Sequence, residues 1–340
     1  MTDAQIIVQN LAKTYRVPRR QGGMKAALKS LTHKEYTNIP AVTDISFSIN
    51  PGEVVGFIGP NGAGKTTTLK MLAGLLHPTS GSALVDGFTP WQREPEFLRR
   101  ISMVLGNKSQ MMWDIPPLDT FRVLGEIYHV PQTELQQTID ELSDLLTMND
   151  ILTKPVRNLS LGERMKCELV ASLLHKPSVL FLDEPTLGLD VSMQRRLRQF
   201  IAAYNQRTGA TIILTSHYMA DVAELCPRVI LIHQGSLLYD GSLQALSTEL
   251  APFKLIHLTV DQENGLDGLD ELWAGETAVT NPAEVTVINQ QNGSITLRVP
   301  RKATSAITAK LLNTLPIVDL SVENPPLDAV IDQIYQEGLS

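Results

Sequence analysis

The sequence predicts an α/β fold built on a buried parallel sheet, followed by a smaller α+β domain. Before Gly241, short apolar runs of strand length alternate with segments of helical periodicity, as in proteins whose parallel strands are covered on both faces. The charge also changes at this point. Residues 241–340 hold 13 Asp/Glu against 5 Lys/Arg, a balance of -8, so the net charge of -7 leaves +1 for residues 1–240. We therefore expect two domains, residues 1–240 and 241–340.

Length and composition exclude several classes of protein. A chain of 340 residues with 43% hydrophobic residues can form one large or two ordinary globular domains. No run of 18 apolar residues occurs, and Met1-Thr2-Asp3-Ala4 does not resemble a secretory signal, so we expect a cytoplasmic chain without a membrane span. Cys167 and Cys226 belong to no CxxC motif, which predicts reduced thiols rather than a disulfide or a zinc site. The acidic balance disfavours nucleic acid as a partner.

A glycine-rich loop separates the apolar strand Glu53–Ile58 from a helix predicted over Thr66–Leu76. It matches the pattern GxxxxGK[ST], whose backbone N–H groups and following helix start bind phosphate. Lys65 is expected to reach the β- and γ-phosphates of a nucleotide, and the hydroxyl of Thr66 is expected to ligate Mg²⁺. The predicted nucleotide-binding residues here are Gly59, Pro60, Asn61, Gly62, Ala63, Gly64, Lys65, Thr66 and Thr67.

Two adjacent acids end the next strongly apolar strand, Ser178–Asp183. Ligands of open parallel sheets collect at the carboxyl ends of the strands, so both acids are expected beside the same nucleotide. Neighbouring residues of a strand point to opposite sides, which predicts different roles for the two. We expect Asp183 to bind Mg²⁺ and Glu184 to act as general base on the attacking water.

The residues after Gly241 predict a small domain with the order β-α-β-β-α-β and a closing helix. A hairpin is indicated near Asn292-Gly293 and a final helix after Pro325-Pro326. This order is typical of a ferredoxin-like split βαβ sandwich. The predicted elements are Phe253–Val260 (strand), Leu266–Ala274 (helix), Glu284–Asn289 and Ser294–Val299 (strands), Lys302–Leu315 (helix) and Ile317–Val322 (strand).

A third motif, Asn158–Glu163, has its Ser160 23 residues before Asp183 and opens a helical run that extends to Leu174. With the phosphate loop and the acid pair, it makes residues 5 to about 245 resemble the ATP-binding cassette (ABC) transporter ATPases. The resemblance implies a P-loop NTPase core, a RecA-like sheet with a helical subdomain. It also implies that Ser160 and Gly162 of one copy contact the γ-phosphate bound by another. Leu161 stands at the third position of this signature, where the family usually has Gly, and Glu163 stands at the fifth, where it usually has Gln.

The resemblance assigns roles to three further residues. Pro185–Asp190 is similar to the D-loop, so Asp190 is expected at the dimer interface. His217 follows the strand Thr211–Leu214 and resembles the switch histidine, which contacts the γ-phosphate and the catalytic acid. Tyr15 occupies the position of the aromatic residue that stacks on adenine, and a core tyrosine is the alternative interpretation.

The glutamine that contacts Mg²⁺ and water in this family is harder to place. The strand Ile101–Leu105 is followed by Gly106 and Asn107, whereas counting back from Leu118–Phe121 selects Gln110. We assign the role to Gln110, as a nucleotide and metal contact, with Asn107 as the alternative. The apolar segment 111–117 lies where the family receives a coupling helix from the membrane subunit. Packing within the helical subdomain would explain the same composition.

The resemblance implies the ATP-binding and ATP-hydrolysing subunit of a transporter, with ATP and Mg²⁺ at a site completed by a second copy or a paired ATPase subunit. Polytopic membrane subunits would be separate chains, and this chain would be peripheral on the inner face of the cell membrane. The C-terminal domain, with Glu323–Leu327, is similar to that of drug, antibiotic and sodium exporters. The alternative is an ABC-type ATPase acting on nucleic acid or ribosomes. The chain has neither the long coiled coils nor the second cassette of those groups.

A basic insertion is predicted at about residues 17–39. The stretch 13–34 carries seven Lys/Arg and no acid. It is either a solvated loop with a short helix or a surface that faces anionic lipid headgroups or an acidic partner.

Overall fold

The computed structural model describes residues 4–18, 36–106, 109–249, 253–260, 285–291 and 293–337. It divides into two compact units, Met1–Gly241 and Ser242–Ser340. Most of the predicted basic insertion and the predicted helix Leu266–Ala274 lie outside the described residues, as does Asn107. Among the residues that are described, no helix has the length and hydrophobicity needed to cross a membrane.

The first unit contains nine described strands. In chain order they are β1 (Ile6–Pro18), β2 (Tyr36–Ile49), β3 (Val54–Ile58), β4 (Ser80–Val85), β5 (Ile101–Leu105), β6 (Val179–Asp183), β7 (Thr211–Thr215), β8 (Arg228–His233) and β9 (Ser236–Ser242). Its helices, within the same described residues, are α1 (Lys65–Leu72), α2 (Pro95–Arg100), α3 (Pro117–Tyr128), α4 (Gln132–Leu145), α5 (Leu161–Leu173), α6 (Val191–Thr208) and α7 (Met219–Leu225).

The main sheet has the strand order β5-β6-β7-β3-β8-β9. The pairs β5·β6, β6·β7, β7·β3 and β3·β8 are parallel. Every residue of β3, β6 and β7 is buried, which explains why these strands are continuous apolar runs rather than alternating ones. The register pairs Asp183 with Thr215, so the carboxyl ends of β6 and β7 bring the acid pair and the strand before His217 to one edge.

A second, antiparallel sheet of order β2-β1-β4 packs on the same core. Phe47 of β2 contacts Phe57 of β3, with ring centroids 5.9 Å apart. Strands β1 and β2 continue together beyond the region that β1 shares with β4, and Tyr15 pairs with Ile39 in this extension. The predicted nucleotide-stacking tyrosine therefore lies on a long two-stranded ribbon.

Helices α3, α4 and α5 form the helical subdomain. Pro117 occupies the first turn of α3, where a missing N–H costs nothing, and buried Gly125 lets α3 approach Leu135 of α4. The ring of Tyr128 at the end of α3 stacks on His175 after α5, with centroids 3.9 Å apart and planes 5° apart. Since His175 Nε2 lies 3.0 Å from the backbone oxygen of Ile101, the stack connects the subdomain to the start of β5.

The second unit contains a four-stranded sheet of order β11-β12-β10-β13, whose pairs are antiparallel. This is the strand order of a ferredoxin-like sandwich, as the sequence predicts. Apolar residues of β10 and β12 alternate toward helix α9, and they form the core of this unit. The described elements are α8 (Leu243–Glu249), β10 (Phe253–Val260), β11 (Thr286–Gln291), β12 (Ser294–Pro300), α9 (Thr304–Thr314), β13 (Ile317–Glu323) and α10 (Leu327–Glu337).

Both cysteines of the chain lie in the first unit and are buried free thiols. Burial raises the pKa of Cys167 to about 12, and it raises the pKa of Cys226 to about 12 as well. At neutral pH these groups remain protonated and behave as small apolar side chains.

Candidate functional site

The phosphate loop connects the end of β3 to the start of α1. Gly64 is the N-cap of α1 and has a φ of 111°, a conformation that residues with a Cβ rarely adopt. A Cβ at this position would lie 2.5 Å from the carbonyl oxygen of Ala41, and one at Gly59 would lie 2.2 Å from that of Ile232. These glycines let the loop pass close to β2 and β8 and lead directly into the N-terminus of α1, where backbone N–H groups can bind phosphate.

Lys65 begins α1 and is 5% exposed. Its Nζ donates hydrogen bonds to the carbonyl oxygens of Gly59 (2.6 Å) and Pro60 (3.1 Å), which holds the ammonium group inside the loop. Burial lowers the pKa of Lys65, and the nearby carboxylates of Glu184 and Asp183 oppose that shift. The lysine and both predicted acids therefore share one electrostatic environment.

Thr66 and Asp183 meet at the start of α1. The Thr66 hydroxyl donates to both carboxylate oxygens of Asp183, at 3.0 and 2.9 Å. The hydroxyl of Thr215, on the neighbouring strand, donates to Asp183 Oδ1 at 2.8 Å. A converging hydroxyl and carboxylate provide the hard oxygen ligands that Mg²⁺ prefers, so the donor set fits that ion.

Glu184 follows β6 with a φ of 56°, in the left-handed region that few residues other than glycine adopt. Its backbone N–H donates to the carbonyl oxygen and to the hydroxyl of Thr215, both at 3.1 Å. His217 Nε2 lies 2.7 Å from Glu184 Oε1. The unusual backbone conformation turns the side chain of Glu184 toward His217, as the predicted acid and switch roles require.

Asp221, a buried carboxylate that the sequence analysis did not single out, stabilises the segments that carry Glu184 and His217. Asp221 on α7 is fully buried and accepts hydrogen bonds from Thr186 Oγ1 (2.5 Å) and Ser216 Oγ (2.7 Å). Its other oxygen pairs with Arg198 of α6 at 2.9 Å. Thr186 lies two residues after Glu184, and Ser216 immediately precedes His217. Asp221 therefore fixes the two backbone segments that carry the acid and the histidine.

Helix α5 begins with a capping box. Ser160 Oγ accepts from the backbone N–H of Glu163 (3.3 Å), and the Glu163 carboxylate accepts from the backbone N–H of Ser160 (2.8 Å). The Ser160 hydroxyl also donates to this carboxylate, and the bonds from Ser160 lower the pKa of Glu163. The pattern S-x-x-E would have predicted the cap from the sequence. Glu at the fifth signature position thus has a local structural role.

Gly162 and the predicted D-loop lie side by side. A Cβ on Gly162 would lie 3.4 Å from Met193 of α6, and one on Gly188 would lie 2.9 Å from Leu161. Asp190 is the N-cap of α6, and its carboxylate accepts from the backbone N–H of Met193 at 2.9 Å. The starts of α5 and α6 therefore form one surface. Within the described residues, no hydrogen bond connects Ser160 or Asp190 to the phosphate loop.

Gln110 lies against α5. Its side-chain amide donates to the backbone oxygen of Glu168 at 3.3 Å. The Glu168 carboxylate accepts from Ser109 Oγ and from the backbone N–H groups of Gln110 (3.1 Å) and Met111 (3.3 Å). Burial raises the pKa of Glu168. In the described part of the chain, Gln110 forms no hydrogen bond with Thr66 or Asp183, so its predicted metal contact stays a prediction.

Tyr15 projects from the ribbon formed by β1 and β2. Its ring is 37% exposed and lies 5.6 Å from Lys13 Nζ, a cation–π distance. An exposed ring of this kind can stack on a base, whereas a core tyrosine would be buried. This favours the predicted adenine contact over the alternative.

The geometry places a lysine, a hydroxyl, two carboxylates and a histidine around a phosphate-binding loop, and comparison with known proteins defines the class. A family model described as "ABC transporter" matches residues 42–187, and one described as "EvrA-like ABC transporter, C-terminal domain" matches residues 252–323. The ABC transporter ATP-binding protein NatA of Bacillus subtilis is 37% identical over 208 residues, 61% of this chain and 84% of NatA. The chain therefore belongs to the ABC transporter ATPases and is an ATP-binding subunit.

Other relatives cover more of the chain or show the same fold. The linearmycin resistance ATP-binding protein LnrL of Bacillus subtilis is 28% identical over 303 residues, 87% of this chain and 93% of LnrL. Among solved structures, an ATP-binding subunit of an ABC transporter has a TM-score of 0.60 at 22% identity, over 72% of this chain and 92% of that one. The dimeric ATP-binding cassette MJ0796, bound to ADP and Pi, has a TM-score of 0.58 at 20% identity, over 70% of this chain and 98% of that one.

Proposed function

We propose that this chain is the ATP-hydrolysing subunit of an exporter, that it acts as a dimer, and that it docks on separate polytopic membrane subunits at the inner face of the cell membrane. One observation carries the hydrolytic part: Glu184 pairs with His217 beside the buried Lys65 and the Thr66–Asp183 pair. A general base, a phosphate-binding lysine and oxygen ligands suited to a metal ion thus lie together at the start of one helix.

The geometry supports a direct role for each group. The loop N–H groups and Lys65 bind the β- and γ-phosphates, and Lys65 exchanges its bonds to two loop carbonyls for bonds to phosphate oxygens. Glu184 accepts the proton of the attacking water, while His217 orients the carboxylate and contacts the γ-phosphate. Thr66 and Asp183 would hold Mg²⁺, which would supply positive charge to the phosphate oxygens.

The dimer is supported by the surface at the starts of α5 and α6. Ser160 and Gly162 lie there, together with apolar side chains that are unusually exposed for their size. These are Leu161 (43% exposed), Leu187 (39%) and Val191 (79%). A second copy would cover them and would bring Ser160 of one copy to the phosphates bound by the other. The proposed occupant of this surface is therefore another molecule of the same chain.

The dimer can be tested with Glu184→Gln, which should bind ATP without hydrolysing it. We expect this variant to change from monomer to dimer, by light scattering, when Mg²⁺ and ATP are added. The double variant Glu184→Gln/Lys65→Ala is the control and should remain monomeric, because it lacks the lysine that binds the phosphates. Glu184→Gln protein that stays monomeric at saturating ATP would contradict the composite site.

Docking on membrane subunits is supported by a groove and an exposed apolar segment. The groove, of about 530 Å³, is lined by Gln110 and by residues of the helical subdomain such as Ile127 and Tyr128. Met112 and Trp113 are 44% and 50% exposed, which favours docking over core packing for these two residues. Export is favoured by the names of relatives, such as the linearmycin resistance ATP-binding protein LnrL and the probable multidrug ABC transporter ATP-binding protein YbhF of Escherichia coli.

Affinity purification of the full chain from detergent-solubilised membranes tests this part. We expect a polytopic membrane protein to co-purify, and we expect Trp113→Ser to reduce its recovery. Leu145→Ser is a matched control, because Leu145 is similarly exposed (48%) on another part of the helical subdomain. Recovery of ribosomes or DNA without a membrane protein would overturn the proposal in favour of the alternative class.

A further inference from the structure

Glu168 is a buried carboxylate on α5 that has no role in the proposed hydrolysis of ATP. It is 5% exposed, and no lysine or arginine forms an ion pair with it in the described part of the chain. A buried carboxylate without a cation has to be stabilised by hydrogen bonds. Among the described residues, the donors to its two oxygens come from the segment Ser109–Met111. The carboxylate therefore connects α5 to that segment.

The connection between Glu168 and Gln110 is reciprocal. The Gln110 backbone N–H donates to the Glu168 carboxylate, and the Gln110 side-chain amide donates to the Glu168 backbone oxygen. One helical turn earlier, the guanidinium of Arg164 lies over the ring of Trp113, 5.0 Å from its centroid. Two residues on the same face of α5 thus hold the segment 109–113 at two points.

The same helix starts at Ser160, which under the proposed function faces the nucleotide of the second copy. Eight residues of α-helix separate Ser160 from Glu168, an axial distance of about 12 Å. At the other end of the connection, Met112 and Trp113 are exposed. A displacement of the start of α5 would move Met112 and Trp113 only if the segment 109–113 is fixed to the helix.

We propose that Glu168 is a positioning residue that fixes the segment 109–113 to α5, so that ATP-dependent movement of this helix displaces Gln110 and the exposed Met112–Trp113 surface. This inference rests on the proposed function. Glu168 touches neither nucleotide nor membrane subunit, and its contribution is to make the two ends of the connection move together.

Trp113 itself provides the readout. The chain has three tryptophans, and replacing Trp91 and Trp273 with phenylalanine leaves Trp113 as the single tryptophan of the full-length protein. In this parent we expect ATP to change the acrylamide quenching of Trp113. Glu168→Gln has the same shape but presents an amide N–H₂ to donor groups, so it should break the connection. We expect the quenching constant to rise about twofold or more, and the response to ATP to be lost, while the Kd for a fluorescent ATP analogue stays within about twofold.

A matched control separates positioning from general destabilisation of α5. Ser172→Ala removes another buried hydrogen bond of the same helix, from the Ser172 hydroxyl to the oxygen of Leu169, without touching the segment. It should leave Trp113 quenching and its ATP response unchanged. If Glu168→Gln does not fold, Ser109→Ala removes one donor from the other side and should give a smaller change in the same direction.

The outcomes distinguish this inference from the proposed function. Normal ATP binding with the same Trp113 quenching and ATP response in Glu168→Gln or Ser109→Ala as in the parent would overturn the inference alone. A parent whose Trp113 does not respond to bound ATP would also overturn it. A parent that fails to bind ATP would overturn the proposed function, and the inference with it.

Discussion

Replacing Gly162 with alanine should stabilise the protein and strongly lower its ATPase activity. Gly162 is the second residue of α5, and its φ is not positive. The added Cβ would lie 3.4 and 3.5 Å from atoms of Met193 and 3.9 Å from Leu189, which are ordinary van der Waals distances. The folded monomer therefore accepts the methyl group without strain. The proposed dimer does not accept it, because this face of the helix start would contact the phosphates bound by the second copy.

The expected magnitudes follow from this geometry. Alanine in place of glycine at a compatible helical position raises the free energy of unfolding by about 0.4–1 kcal/mol, mainly by restricting the unfolded chain. For a domain of this size, that corresponds to an increase in Tm of about 1–4 °C. Losing the phosphate contacts at the start of α5 should lower kcat for ATP hydrolysis by about 100-fold or more, the usual cost of removing a transition-state hydrogen-bond donor.

The assay combines thermal unfolding, binding of a fluorescent ATP analogue and phosphate release. The Gly162→Ala protein should show the higher Tm, unchanged binding to the monomer and strongly reduced hydrolysis. Gly125→Ala should show the opposite pattern, because its Cβ would lie 2.3 Å from Leu135 of α4, far along the chain from any nucleotide contact. We expect it to lose about 1–3 kcal/mol of stability and to keep its kcat. Gly162→Ala protein with normal hydrolysis would refute the composite site.

Three further predictions concern the histidines and the buried acid. His217→Ala should lower kcat about 100-fold or more while sparing ATP binding, because Glu184 loses its partner. A phosphate-release assay measures kcat, and full activity of this variant would contradict the switch role. Asp221→Ala should lower the free energy of unfolding, measured in urea, by about 1–3 kcal/mol, since Thr186 and Ser216 lose their buried acceptor while Arg198 keeps Glu224. Burial lowers the pKa of His175, so the unfolded chain binds the proton more tightly and stability should fall as the pH drops below about 6.5. Urea midpoints at pH 7.5 and 5.5 should therefore differ more for the native chain than for His175→Phe, and equal differences would exclude His175 as the cause.

The sequence predicts where the polar groups at the strand ends lie, because each of these motifs is local. The phosphate loop, the acids after β6 and His217 after β7 each follow a buried apolar strand, and parallel strands place their carboxyl ends at one edge. The order of the four strands after Gly241 agrees with the ferredoxin-like prediction, whereas the predicted helix Leu266–Ala274 lies outside the described residues.

Long-range pairing explains what the sequence analysis missed. Asp221 bonds to Thr186 and Arg198, 35 and 23 positions away, and Glu168 bonds to residues 57–59 positions away. A single sequence gives no sign that such groups meet, because polar residues in helices usually face solvent. The sequence places Thr215 beside His217, but only the strand register brings its hydroxyl opposite Asp183, to which it donates a hydrogen bond. The capping role of Glu163 follows from the local pattern S-x-x-E.

The two buried thiols give the protein a practical property. A thiol with a pKa of about 12 has a thiolate population roughly three orders of magnitude below that of an exposed cysteine near pH 7.5. Maleimides should therefore react with neither of the native cysteines. A cysteine introduced at an exposed position such as Leu161 would then be the single reactive thiol of the full-length chain. The native sequence is thus ready for site-specific labelling, and crosslinking between copies can be followed without first building a cysteine-free variant.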